Sequence, residues 1–324
     1  MNAPNVMNTL YILPNHGWEA GAAQLHRLAD LATGLDVRYL PDGRMTERHI
    51  ASAEIIFGSP DPALLQSAPR LKWLHLPSAG ADPYTDLRLY ANNGITLTTS
   101  AGVYGVPMAE HILMLFLMLA RGVRFSGEAG NTSGADPWSQ RELHGATVLL
   151  LGLGDVGRTL AARLSSFGTI TLGMRRNLWD KPPNVDELFD IFSIDQALAR
   201  ADFVACSLPL TPETAGLLNK TMFEIMKPGA IFVNVGRGAV VDTAALTEVL
   251  ATGRLAGAGL DVTDPDLLPP SHPLRSLPNV ILTEHTAGES LNVPSRRLAL
   301  FEKQLVRYLS GRSLHNTVDF FRGY

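Results

Sequence analysis

The sequence predicts an α/β protein made of two doubly wound parallel-sheet domains. Three observations predict it. Short apolar strand patterns alternate with helical patterns from the first residues onward, which implies parallel sheets covered by helices on both faces. A glycine fingerprint sits between strand and helix in the second α/β unit only, so the two units differ in role. A last helical pattern, Asn292–Leu309, lies beyond the second set of strands and is free to return to the first domain.

In order, Thr9–Leu13 reads as a strand, Trp18–Ala32 as an amphipathic helix, and Asp36–Leu40, Glu54–Gly58, Lys72–Leu76 and Thr96–Thr99 as further strands. A long helix is expected over Val106–Phe125, containing the apolar run Ile112–Ala120, and Gly127–Pro137 reads as a polar glycine-rich loop. The run is far short of the ~20 residues that cross a bilayer, so it is read as a buried helix. Strands are then expected at Thr147–Leu151, Thr169–Met174, Phe203–Ser207, Ala230–Asn234, Ala256–Leu260 and Val280–Thr283.

Composition bounds the class. The chain has 324 residues, 46% hydrophobic and 18% charged, enough for two cores in an ordinary globular protein. Its net charge of −4 argues against nucleic acid or an anionic membrane as partner. The single Cys206 excludes a disulfide framework within the chain, suits a cytoplasmic location, and sits in a strand pattern as a small buried hydrophobe. Met1–Asn8 is polar and has no basic region, unlike a signal peptide.

The most informative stretch follows the strand Thr147–Leu151. Gly152, Gly154 and Gly157 stand at G-x-G-x-x-G spacing and, with Asp155 and Val156 between the last two, are read as cofactor-binding; a helical pattern (Leu160, Ala161, Leu164, Phe167) follows, and a second strand comes next. The first glycine permits the tight turn, the second lets backbone approach a pyrophosphate, and the third allows close helix packing. Helix N-terminal amides then face the phosphates. This is a dinucleotide site. At the end of the second strand, where a carboxylate would bind the ribose of NAD, stand Arg175 and Arg176, with no acid before Asp180. Guanidinium forks suit a 2′-phosphate, so NADP is the expected cofactor, with NAD as the alternative.

Three segments after later strands carry candidate chemistry. Asn234–Ala239 displays Arg237 on a flexible glycine turn, suited to a carboxylate or to a plain surface arginine. Gly259–Asp266 carries three acids, for proton chemistry or for turn formation before Pro265; no accompanying ligand cluster supports a metal. His285 ends a strand and precedes Gly288, and spacing alone does not select it among nine histidines.

The ordered segments LLGLGDVG, CSLPLTPETAGLL, NVGRG, GLDV and EHTAG resemble the D-isomer-specific 2-hydroxyacid dehydrogenases, as do SAGAD at Ser78–Asp82, AEHILMLFLMLAR at Ala109–Arg121 and the C-terminal VDFFRGY. The resemblance covers nearly the whole chain. It implies a flavodoxin-like substrate domain (1–102 with 289–324) and a Rossmann dinucleotide-binding domain (103–288). It implies that Arg237 binds a substrate carboxylate and polarises the keto oxygen, that His285 is the acid/base group, and that the Ala79–Gly80 backbone receives the carboxylate. Leu208, Pro209, Thr214, Val235, Gly236, Asp261, His285 and Gly288 fall on cofactor-lining positions, Asp261 near the nicotinamide carboxamide. Two departures stand out. The acid paired with the histidine is Asp266 where the family usually has Glu, and Glu284 replaces the usual proline, either disturbing the local backbone or adding a second acid.

The implied activity is hydride transfer from NADPH to a small 2-keto acid such as glyoxylate or hydroxypyruvate, giving the D-2-hydroxy acid, by a homodimer. A non-catalytic nucleotide-sensing protein of the same fold is the alternative. Formate dehydrogenase, similar in fold, pairs its histidine with an amide instead.

Overall fold

A computed structural model describes residues 8–14, 18–123 and 140–324. The chain divides into two compact units, Met1–Val103 with Ser290–Tyr324, and Tyr104–Glu289.

The first unit is a five-stranded parallel sheet. Its strands are β1 (Thr9–Ile12), β2 (Asp36–Tyr39), β3 (Ala53–Phe57), β4 (Trp73–Leu76) and β5 (Thr96–Thr99), in the order β2-β1-β3-β4-β5. That is the flavodoxin-like order. Its first helix, α1, spans Ala22–Leu31 rather than starting at Trp18. The extended Gly21 is its N-cap, with Gln24 Oε1 accepting from Gly21 N–H at 3.0 Å, and Trp18 is buried ahead of it. A short helix, α2 (Glu47–Ser52), precedes β3.

An aromatic cluster lies within the largely aliphatic core of this sheet. Phe301, from the last helix of the chain, stacks on Phe57 at 4.2 Å between ring centroids and on Trp73 at 5.3 Å. His75 lies among them, fully buried, with Nδ1 2.7 Å from Thr98 Oγ1 and Nε2 3.2 Å from Ser100 Oγ. Burial pushes its pKa down to about 3. The unfolded chain binds a proton near pH 6.5 that the native state refuses, so stability is complete above that pH and is lost as pH falls toward 3. Urea denaturation is expected to show about 1.4 kcal/mol lost per pH unit through this window, with His75→Gln flattening the slope.

The second unit begins with α3 (Gly105–Ala120) and contains seven parallel strands: β6 (Thr147–Leu151), β7 (Ile170–Met174), β8 (Glu187–Phe189), β9 (Phe203–Cys206), β10 (Ile231–Asn234), β11 (Gly257–Leu260) and β12 (Val280–Leu282). Their order, β12-β11-β10-β9-β6-β7-β8, is the Rossmann order with a seventh strand, and it reverses between β6 and β9. Helices α4 (Asp155–Leu164), α5 (Ile194–Leu198), α6 (Lys220–Ile225) and α7 (Thr243–Ala251) complete the unit. The last helix of the chain, α8 (Val293–Leu309), belongs to the first unit and supplies its Phe301.

The eleven strands expected from the sequence are present, each end within one residue. The helix expected over Val106–Phe125 stops at Ala120. Gly122 is left-handed (φ 68°), its N–H bonds to Leu119 O, and Val123 N–H reaches back to Met118 O at 2.8 Å, which closes the last turn. The helix is not buried all round either, since Val106, Met114 and Leu117 are exposed on one face. The glycine-rich loop Gly127–Pro137 lies outside the described residues. Cys206 is fully buried in β9, and burial pushes its thiol up to about 12. No helix among the described residues is long and apolar enough to cross a membrane.

Candidate active site

The glycine fingerprint lies at the point where strand order reverses. Gly152 leaves β6 with φ 101°, a conformation that disfavours any side chain. Gly157 sits so close that a Cβ there would lie 2.0 Å from Gly152 O, so the third glycine lets α4 down onto the turn. Gly154 is the N-cap of α4 and has nothing within 4 Å of a Cβ position, which leaves its backbone open to a ligand. Asp155 turns its carboxylate to α3, accepting from Gly105 N–H at 2.6 Å, and Val156 is half-buried. Both lie in the first turn of α4, the helix end whose dipole favours an anion such as phosphate.

Beyond β7, Arg175 donates to Asp180 O at 2.6 Å, and Arg176 pairs with Glu213 at 2.7 Å. Glu213 belongs to the loop after β9, far from the arginines along the chain, so local pattern does not reveal this acid beside them. In that loop Leu208 is buried, and the Thr214 hydroxyl donates to Pro209 O at 2.7 Å while accepting from Thr211 N–H at 2.8 Å. Thr214 therefore shapes the loop. The glycine turn, the arginine pair and this loop fit a dinucleotide carrying a 2′-phosphate.

Arg237 follows β10. Its turn is held by Asn234, 1% exposed, whose side chain accepts from Gly236 N–H at 3.0 Å and donates to Arg237 O at 3.1 Å. Val235 N–H bonds to Cys206 O at 3.0 Å, and the guanidinium donates to Gly236 O at 2.9 Å. The flexible glycine turn expected here is a wedge. Neither glycine has positive φ. A Cβ on Gly236 would lie 2.6 Å from Leu208 O, and one on Gly238 would lie 1.9 Å from Thr263 O. Gly238 therefore seats the segment that carries Asp266. Gly238→Ala is expected to lower the melting temperature by several degrees, an overpacking cost of about 1–3 kcal/mol. Gly154→Ala should leave the melt unchanged and weaken nucleotide binding. Equal melts for the two variants contradict the wedge.

His285 follows β12 in a left-handed turn, φ 54°. Its Nδ1 lies 3.3 Å from Asp266 Oδ2, and both side chains are more than half exposed. Asp266 is thus the carboxylate brought to the histidine. Asp261 is almost fully buried. Its carboxylate accepts from Thr283 Oγ1 at 2.5 Å, Thr286 N–H at 2.8 Å and Ala287 N–H at 3.0 Å, and its carbonyl accepts from His285 N–H at 2.9 Å. Its carboxylate is committed to this turn. Gly288 closes it, with a Cβ position 3.2 Å from Tyr104 Cδ1. Asp261 N–H bonds to Asn234 O at 3.0 Å, so the ends of β10, β11 and β12, with Arg237 and His285 beyond them, are linked in one ladder.

Ala79 and Gly80 lie in the first unit, just past the carboxyl end of β4, where Ser78 Oγ donates to Gly80 O at 2.6 Å. No cluster of metal-binding side chains occurs among the described residues.

Residues 113–287 match the family model "D-isomer specific 2-hydroxyacid dehydrogenase, NAD binding domain". The chain belongs to this family. The Thermofilum pendens glyoxylate reductase is 34% identical to this dehydrogenase-family chain over 78% of its length and 76% of the relative's. A glyoxylate/hydroxypyruvate reductase B from Citrobacter koseri is 34% identical over 91% of this chain and 94% of its own. Among solved structures, the NADPH-dependent glyoxylate/hydroxypyruvate reductase of Sinorhizobium meliloti, in complex with NADP and sulfate, superposes with a TM-score of 0.81. It is 28% identical, covering 98% of this chain and 100% of that one.

Sequence reasoning missed Asn234, Thr283, His111 and Glu213. A buried amide ending an otherwise apolar strand was the available signal for Asn234. The others depend on which loops the fold brings together.

Proposed function

We propose that this dehydrogenase is an NADPH-dependent reductase of small 2-keto acids, with glyoxylate and hydroxypyruvate as the leading substrates and the D-2-hydroxy acid as product. The observation that carries the reading is the linked edge of β10, β11 and β12, with a held arginine beyond one strand and a carboxylate-paired histidine beyond another. The names of the relatives supply the substrate class.

When bound, NADPH supplies a hydride to the carbonyl carbon. The chain's own residues do the rest. Arg237 binds the carboxylate and draws charge onto the keto oxygen, holding the acid for attack. His285 gives its proton to that oxygen as the alkoxide develops. Asp266 orients the imidazole through Nδ1, leaving Nε2 for the substrate.

Arg175 and Arg176 support the preference for NADPH. The Arg176–Glu213 pair is solvent-exposed and worth at most about 1 kcal/mol, less than a charge-assisted contact to phosphate at about 1.5–3 kcal/mol. Replacing both arginines, Arg175→Asp with Arg176→Ser, is expected to erode the preference at least about tenfold, and Glu213→Gln to keep or strengthen it. The check is kcat/KM with NADPH and with NADH across a keto-acid panel. Equal values for the two cofactors in the unaltered protein contradict the assignment, and absence of turnover contradicts the reductase reading.

The exposed Val106, Met114 and Leu117 on α3 support a homodimer formed through that helix, which light scattering checks. The lone buried Cys206 supports a cytoplasmic location.

A further inference from the structure

Helix α3 runs over β11 in a fixed register. Leu119 meets Gly257, where a Cβ would lie 2.9 Å from Leu119 Cδ2, and Leu115 meets Gly259, where it would lie 3.0 Å from Leu115 Cδ1. Four helical residues advance about 6 Å and two strand residues about 6.6 Å, so the steps match. The next step pairs His111 with Asp261, just past the strand. The glycines let the helix sit low enough to bring His111 Nε2 within 3.1 Å of Thr283 Oγ1 and 3.9 Å of Asp261 Oδ1.

The protons can be assigned by counting. Thr283 has one hydroxyl proton, and at 2.5 Å it goes to the Asp261 carboxylate, which only accepts. The Thr283 oxygen must then accept from His111, so His111 carries its proton on Nε2. The result is a directed relay from His111 through Thr283 to Asp261. That carboxylate fixes the next two amides of the turn, Thr286 and Ala287, while the Asp261 carbonyl fixes the His285 amide. A histidine at φ 54° needs such support, because the left-handed region is unfavourable for a side-chain-bearing residue.

We propose that His111 and Thr283 are positioning residues that lock the Asp261 carboxylate and, through it, the turn presenting His285. The inference rests on the reductase reading for its catalytic consequence and on geometry alone for its structural one. Burial lowers the pKa of His111 while Asp261 opposes that; the relay requires only a proton on Nε2, which the Nε2–H tautomer and the imidazolium both carry.

The experiment joins amide hydrogen exchange with steady-state kinetics on the full chain. Thr283→Val keeps the shape and removes the hydroxyl, whereas Thr283→Ser retains it. His111→Leu removes the donor, whereas His111→Gln keeps an N–H near the same place. The Val and Leu variants are expected to speed exchange at residues 285–287 by about tenfold or more, the scale of one hydrogen bond to a charged group. They should lower kcat by a similar factor with KM for NADPH within about twofold, while Ser and Gln restore both. Exchange and kcat in Thr283→Val matching those of Thr283→Ser overturn the proposal. If Thr283→Val does not fold, the His111 pair decides in the same way. Should the unaltered protein reduce no keto acid, the reductase reading fails, and the exchange rates still decide the positioning role.

Discussion

Arg237→Ala is expected to lower kcat/KM for a 2-keto acid by about 100- to 1000-fold, with both kcat and KM affected. Losing a charged hydrogen-bonded partner of a bound carboxylate costs about 3–4 kcal/mol, and each 1.36 kcal/mol is a factor of ten. KM rises because the carboxylate loses its partner in the ground state. The rate falls because the same guanidinium faces the oxygen on which charge develops. Arg237→Lys should recover little, since a single ammonium does not reproduce the fork. The fold should be little affected: Asn234 and the glycine wedges hold the backbone of the turn, and the variant gives up the guanidinium's bond to Gly236 O within that same turn. Steady-state kinetics beside a thermal melt check this. Turnover within a few-fold of the unaltered protein would remove Arg237 from the site.

His285→Gln is expected to lower kcat by about 100- to 1000-fold and leave NADPH affinity within a few-fold, as for loss of a positioned general acid. Asp266→Asn should cost far less. The pair is 3.3 Å long and both side chains are more than half exposed, so its strength is that of a screened surface pair, about 0–1 kcal/mol. A fall in kcat of no more than about fivefold follows. Asp266→Glu, one methylene longer, should match or exceed the unaltered rate. If Asp266→Asn were as damaging as His285→Gln, the carboxylate would hold a role that its exposure does not indicate.

Most of the strands were legible because they are short apolar runs, as in β6 before Gly152. Strand β8 was not: Glu187–Phe189 is three residues long with an exposed acid, too short for any period to show. The fingerprint glycines were legible in role as well as place, since Gly152 and Gly157 act by conformation and close approach as the spacing implies. The glycines around Arg237 were legible in place only. What demands them is Leu208 and Thr263, distant in sequence, and local pattern holds no trace of such neighbours. Asp261 shows the same limit. Its position in GLDV was visible, while its four hydrogen bonds to the His285 turn depend on β11 and β12 lying side by side. His111 looked like one more residue of an apolar helix until its register over Gly257 and Gly259 placed it beside a buried carboxylate.

The reductase reading is tested most directly by the product formed from hydroxypyruvate and NADPH. Chiral analysis of the three-carbon hydroxy acid, with NADPH consumption followed in parallel, is the measurement. One D-glycerate for each NADPH consumed is the predicted result. The L enantiomer, or no consumption by protein that binds NADPH, would contradict the account.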